Sequence, residues 1–393
     1  MSTPIVSSSC FRFTDAARQR YGERSDQYRS YLFQTDPMAD AVVAAMAALP
    51  AGQGHRLLDT ALNQGIDAAP DAPSVLRDLF AQLDEVPFWV NWEQLDLGGA
   101  AFLRSGLFGI LTVGLVSLPL SYSSPAGNKP LIFSGQLIKR APRRLGETGR
   151  FIYLTSQPGA LRRFGDGFKA TVKVRLMHAQ VRRLLKQSGR WDANQWGEPI
   201  NQAYLAATNL ILSVVLLDGM RSFGLRFAQA EREALMQLWR YSGYLSGIAP
   251  DLLCATENEA RRMLEMVLEL DGPPDDDSRA LINALMLVGH ATGFKEADWL
   301  KQLCYGISYS LIGEVRARAL GYPRTWRRWI VPALRPVIST VDLVRSLAPG
   351  GRRLVDALGV RSWELAIERT LAGPLPDYRM TERLAVQSQS SIA

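Results

Sequence analysis

The long segments of this 393-residue chain repeat their apolar residues at every third and fourth position, and the alternating polar and apolar runs of a half-buried strand are scarce. A chain patterned this way buries its apolar surface by packing helix on helix. The expectation is a mainly α fold. With 47% hydrophobic and 21% charged residues the chain sits near globular averages and can build a large core.

Residues 36–83 read as several short helices of an outer layer, broken at Pro50-Ala51-Gly52 and at Ala69-Pro70-Asp71-Ala72-Pro73. Residues 89–244 hold the longest apolar segments and should supply the core. Two amphipathic helices follow, at 257–268 and 277–293, separated by the acidic turn Asp271-Gly272-Pro273-Pro274-Asp275, the best internal break. The expected organisation is one large helical domain over residues 1–393. Its core covers about 80–260, C-terminal helices over 261–384 pack on that core, and a Ser- and Gln-rich tail at 385–393 is disordered.

Two apolar stretches, 105–128 and 203–217, have apolar parts shorter than the roughly 20 residues of a spanning helix. Pro119 interrupts the first; Thr208, Asn209 and Ser213 lie in the second. Both are read as buried helices. The C-terminal third is basic, with Arg324, Arg327, Arg328, Arg352 and Arg353 beside apolar and aromatic residues. It reads as a solvated helix face, or as a surface that rests on a membrane or an acidic partner.

The net charge of +7 comes from 45 basic residues spread among 38 acidic ones without long runs of one sign, which argues against nucleic-acid binding. Cys10, Cys254 and Cys304 are too scattered for a disulfide framework, so a reducing compartment is expected. The first thirty residues show no apolar signal region. A cytoplasmic location is the expectation, with peripheral membrane contact as the open variant.

Only His55, His178 and His290 are present. No His-Glu-x-x-His helix, Gly-x-Ser-x-Gly elbow, Walker loop or Gly-x-Gly-x-x-Gly fingerprint occurs, which takes most of the support from zinc hydrolases, serine esterases and nucleotide enzymes. His55, in a Gly-Gln-Gly-His-Arg segment, reads as surface, and His290 as a structural residue on an apolar helix. His178 differs because Val174, Arg175, Val181, Arg182 and Leu185 share its helical face. That stripe suits a planar ligand, apolar in the middle and anionic at one edge, as haem is. The imidazole would bind iron while Arg175 and Arg182 reach propionates. An amphipathic helix with an arginine rim explains the same pattern. Without Cys-x-x-Cys-His, any haem is held by coordination and packing alone.

The run Arg144-Leu145-Gly146-Glu147-Thr148, with His178 thirty positions after Thr148 inside Val174-Arg175-Leu176-Met177-His178-Ala179-Gln180-Val181-Arg182, resembles the signature of the latex clearing protein family, which includes the mpaB-type oxygenases. The likeness extends upstream through Val86-Pro87-Phe88-Trp89-Val90-Asn91-Trp92 and downstream through Trp239-Arg240-Tyr241-Ser242-Gly243-Tyr244-Leu245-Ser246-Gly247. It implies a helical fold with a globin-like core, a non-covalent haem b, and oxygenase chemistry with dioxygen on a hydrophobic, isoprenoid or otherwise unsaturated substrate. It also implies His178 as the proximal iron ligand and Arg144 and Thr148 as a polar pair near the haem. Their spacing of four puts that pair on one helical face. Glu147 stands where some rubber-cleaving members carry a lysine that can occupy the distal iron position, which makes it a candidate proton donor or acceptor. Residues 123–130, the neighbourhood of a glutamate proposed as base in those members, hold Asn128 and no carboxylate. A haem-binding oxygen sensor or carrier without turnover would share all these residues and is the alternative.

Overall fold

The computed structural model describes residues 9–133, 137–287, 297–347 and 351–371. Among them every regular element is a helix, and the only β contact is an isolated bridge between Phe11 and Asp271. The mainly α fold expected from the apolar spacing is the fold found.

Two short helices, α1 (Asp15–Tyr21) and α2 (Glu23–Tyr31), precede a layer of α3 (Pro37–Ala48), α4 (Gln53–Gln64) and α5 (Ser74–Asp84). The layer breaks at the expected Pro and Gly clusters. Its inner side is nonetheless core, since Val42, Leu62, Leu76, Leu79 and Phe80 are 0% exposed. Helix α3 starts where Asp36 caps it, accepting the Ala39 N–H at 3.1 Å, with Pro37 in the first turn.

The centre is built from α6 (Trp92–Leu103), α7 (Leu107–Tyr122), α8 (Lys129–Phe133), α9 (Leu137–Thr155), α10 (Asp166–Gln187), α11 (Ala193–Trp196), α12 (Gln202–Phe223) and α13 (Gln229–Leu245). Helices α6 and α13 meet backbone to backbone at Gly98. A Cβ there would lie 2.4 Å from the Ala234 carbonyl oxygen, so only glycine lets the backbones meet. Helices α7 and α12 each contain a π turn, at Val113–Ser117 and Ile211–Val215. The two turns lie side by side, with Ser117 Oγ donating to the Ile211 carbonyl at 3.4 Å. In the first, the Leu118 N–H reaches back to Val113, and Pro119, which has no N–H to give, follows as the helix restarts.

Helix α12 runs for 22 residues, longer than its apolar stretch, because Asp218 and Arg221 continue it. By length and composition it could cross a bilayer, but 67% of its apolar window is buried inside the protein. Helices α6 and α7 meet at a bend of 85°.

The chain continues through α14 (Glu257–Leu270), α15 (Asp276–Met286), α16 (Ala297–Ile312), α17 (Glu314–Ala319), a 3-10 turn (Trp326–Trp329), α18 (Ile330–Leu347) and α19 (Gly351–Leu371). Helix α19 docks on the centre. Tyr153 donates to Glu364 at 3.1 Å, and Trp363, 2% exposed, packs on Phe102 with ring centroids 5.1 Å apart. The tail at 385–393 lies outside the described residues.

The acidic turn at 271–275 is bonded to distant parts of the chain. Gly272 N–H donates to the Cys10 carbonyl at 2.8 Å, and Arg12 N–H to Leu270 at 2.7 Å, which fastens the N-terminal segment across it. Lys129 Nζ donates to Asp275 at 2.8 Å and also pairs with Asp277. A turn rich in Gly, Pro and Asp looks like a linker until its carboxylates find partners elsewhere in the chain.

Candidate functional site

Helix α10 carries His178. Its buried side runs through Phe168, Val172, Leu176 and Ala179, each at most 1% exposed. His178 sits at the edge of that side and is half-buried, as are its helical neighbours Val174, Met177 and Val181. The chain thus leaves an apolar strip around an imidazole incompletely covered. This fits the iron ligand and the apolar face that a haem requires.

Arg175 and Arg182 lie toward the fully buried edge, where each has carboxylate partners on another helix. Arg175, 3% exposed, donates from Nε to Asp36 Oδ2 at 2.6 Å and from Nη2 to Oδ1 at 3.1 Å, and Nη2 also reaches Gln82 at 3.3 Å. Arg182, 1% exposed, donates from Nε to Asp40 at 2.7 Å and from Nη1 to the Ile200 carbonyl at 2.8 Å. Ile200 has φ of 50°, an uncommon value for a β-branched residue, and Arg182 fixes its carbonyl there. Both guanidiniums therefore fasten α10 to α3. Asp36 and Asp40 escaped the reading of the sequence, although Thr35-Asp36-Pro37 is a helix-start signal.

Helix α9 carries Glu147 and Thr148, both half-buried. On one side, a Cβ at Gly146 would lie 2.8 Å from Leu371 of α19, and Tyr153 bonds Glu364 of the same helix. Thr148 belongs to the opposite side with Phe151 and Thr155. Phe151 packs on Trp239 of α13, with centroids 6.4 Å apart. Among the described residues Trp239 Nε1 and Thr155 Oγ1 are buried donors without a hydrogen-bond partner, so this side can receive an acceptor-bearing ligand. Arg144 belongs to α9, but its side chain lies outside those described, as does all of His290. His55 is exposed, in the first turn of α4.

The two aromatic segments flanking this region meet in space. Tyr241 packs edge-on against Trp89 at 6.2 Å and Trp92 at 5.5 Å, and the Arg240 guanidinium lies 4.0 Å from the Trp89 ring centroid.

Asn128, 1% exposed, donates to the Tyr122 carbonyl at 3.1 Å and to Ser278 Oγ at 2.9 Å, so it ties α8 to α15. A carboxyl nevertheless stands beside residues 123–130. Asp271 accepts from Tyr204 OH at 3.2 Å. Burial pushes its carboxyl up to about 7, against the opposing hydrogen bonds from Ser124 and Tyr204. Sequence order hid this neighbour, because it comes from the far end of α14.

Residues 103–345 match the family described as ER-bound oxygenase mpaB/B'/rubber oxygenase, catalytic domain. Rubber oxygenase of Streptomyces sp. (strain K30) is 26% identical over 253 residues, covering 63% of this chain and 59% of that protein, which is less than two thirds of the relative's length. The solved structure of latex clearing protein in the closed state shares the fold, with a TM-score of 0.67 and 22% identity over 85% of this chain and 91% of that one. The matched residues take in both π turns, α9, and α10 with His178, and the chain belongs to the mpaB/rubber oxygenase family.

Proposed function

We propose that the protein is a haem b-dependent oxygenase in which His178 ligates the iron and a hydrophobic, unsaturated substrate reacts with dioxygen. The carrying observation is the half-buried imidazole of His178 set in an incompletely covered apolar strip, on a helix within the family's catalytic domain. A haem held there supplies a redox-active iron for dioxygen chemistry. The apolar strip formed by Val174, Met177 and Val181 would pack against a haem held there and keep water from it. Thr148, with Arg144 four positions before it, orients the polar end of the reacting partner, and Glu147 holds or releases the proton. Arg175 and Arg182 keep α10 in place through Asp36 and Asp40 and act at one remove.

The name of the Streptomyces relative points to a polymeric isoprenoid as its substrate. For this chain the class proposed is isoprenoid alkenes, with cleavage of the carbon–carbon double bond into two carbonyl products. The test incubates reduced, haem-loaded protein with oxygen and either squalene or polyisoprene, and traps carbonyl products for mass spectrometry. Aldehyde or ketone fragments support the reading. Stable oxygen binding with both substrates untouched would make the protein a carrier.

A further inference from the structure

Helix α18 turns its apolar side outward. Its inner side is fixed to the loop after α12, where Arg226 N–H donates to Asp342 at 2.9 Å, Arg226 Nε donates to Ser339 Oγ at 3.4 Å, and Val331 is 4% exposed. The outer side carries Leu334, Val337, Val341 and Val344, spaced three and four apart, with 50, 60, 41 and 60% of their areas exposed. No charged residue interrupts that line. The preceding turn adds Trp326 and Trp329, 70 and 62% exposed, and α17 adds Val315 at 84%. A 4.0 Å contact between Arg328 and Glu314 holds the turn beside α17. Along the helix from Leu334 to Val344 the line is about 15 Å long at 1.5 Å per residue, and the tryptophan turn extends it. Scattered surface hydrophobics need no explanation, whereas a continuous line of this length marks a contact surface.

The charge around this line is predominantly positive. Residues 314–347 hold seven arginines, no lysine and two carboxylates. Glu314 pairs with Arg318 and Arg328, and Asp342 faces inward to Arg226. Arg327 and Arg328 lie 5.3 Å from the ring centroids of Trp326 and Trp329 respectively. On the flank toward α12, Arg221, Arg232, Arg261 and Arg335 line a cleft with only Asp218 and Glu257 to offset them.

We infer that the outer side of α18, with the Trp326–Trp329 turn, is the face by which the protein lies on an anionic lipid bilayer. The apolar line and the indoles enter the boundary between headgroups and acyl chains, while the guanidiniums bind phosphates above it. Charge complementarity selects this occupant. A second copy of the chain would set the same excess of arginine against itself, with no carboxylate on the outer line to neutralise it. The inference is independent of the haem reading and survives if that reading fails.

The test is co-flotation of the full chain with vesicles of phosphatidylcholine alone or mixed with phosphatidylglycerol. Binding is expected to the mixed vesicles only, to be reversed by added salt, and to fall by about tenfold or more in the Val337→Asp/Val341→Asp variant. Both positions are exposed, so thermal melting should stay unchanged. Brominated acyl chains should also quench tryptophan fluorescence in the wild type, and less so in Trp326→Phe/Trp329→Phe. Absence of flotation with the mixed vesicles, or equal flotation of the aspartate variant, would overturn the inference. So would a dimer in sedimentation equilibrium without lipid that the same variant dissociates, since the line would then belong to a second copy.

Discussion

Arg175 of α10 and Asp36 at the start of α3 form a buried bidentate pair, with nitrogen–oxygen distances of 2.6 and 3.1 Å and neither residue more than 5% exposed. Asp36 also caps its own helix, so one carboxylate both starts α3 and anchors α10 to it. Removing one partner leaves a buried charge without its counter-ion. Asp36→Ala should therefore lower the unfolding free energy by roughly 3–5 kcal/mol. Arg175→Ala should cost a similar amount. Both variants that remain folded should take up haem with unchanged affinity, as urea titrations and haem-transfer rates would show. Faster haem loss from Arg175→Ala alone would return this arginine to a propionate.

Gly247 closes over the same pair. Its φ is 78°, and a Cβ would lie 2.2 Å from Asp36 Oδ2. Gly247→Ala combines left-handed backbone strain with a clash against the ion pair, and should cost at least about 1–3 kcal/mol in thermal or chemical unfolding. A melting temperature equal to wild type would show that the pair can move aside.

The apolar spacing made the helices legible, and Pro50-Ala51-Gly52 and Ala69-Pro70-Asp71-Ala72-Pro73 placed their breaks well. His178 stood out because a rare residue lay in an apolar strip at a fixed distance from Arg144 and Thr148. The partners of Arg175 and Arg182 did not stand out. Asp36 and Asp40, four apart, are compatible with two arginines seven apart, but spacing along one helix does not say which other helix faces it. Helix α18 shows the same limit. Its three-and-four pattern looks like that of a core helix, and only packing reveals that the apolar side points away from the core.

Asp271 makes stability depend on pH. Its carboxyl is enclosed near Tyr204, Tyr28 and Ser124 and titrates at about 7, against 3.8 for the ordinary side chain. Between those values the folded chain holds a proton that the unfolded chain has released. The stability linked to this residue is thus fully present below 3.8 and is lost as pH rises through about 7. Asp271→Asn keeps an oxygen for the Tyr204 hydroxyl. It should melt near wild type around pH 4 and several degrees above wild type around pH 8, as calorimetry would show. Equal melting at both pH values would mean that the carboxylate is solvated.

Glu147→Gln separates proton handling from haem binding. The substitution touches neither His178 nor the Asp36 and Asp40 anchors, so haem content should be unchanged. A carboxyl that moves a proton at the reacting oxygen should cost about tenfold in turnover on loss of its acidity, or roughly 1.4 kcal/mol. Full activity in this variant would place the proton path elsewhere.

The central claim is that His178 holds the iron, and the absorption spectrum of purified protein expressed with ample haem tests it most directly. Wild type should show a Soret band and the spectrum of a histidine-ligated haem. His178→Ala should lose the haem or its axial coordination, because no thioether tethers the cofactor, and added imidazole should restore the ligated spectrum in any haem that remains. A wild type without a Soret band, or a His178→Ala variant with an unchanged histidine-ligated spectrum, would contradict the account.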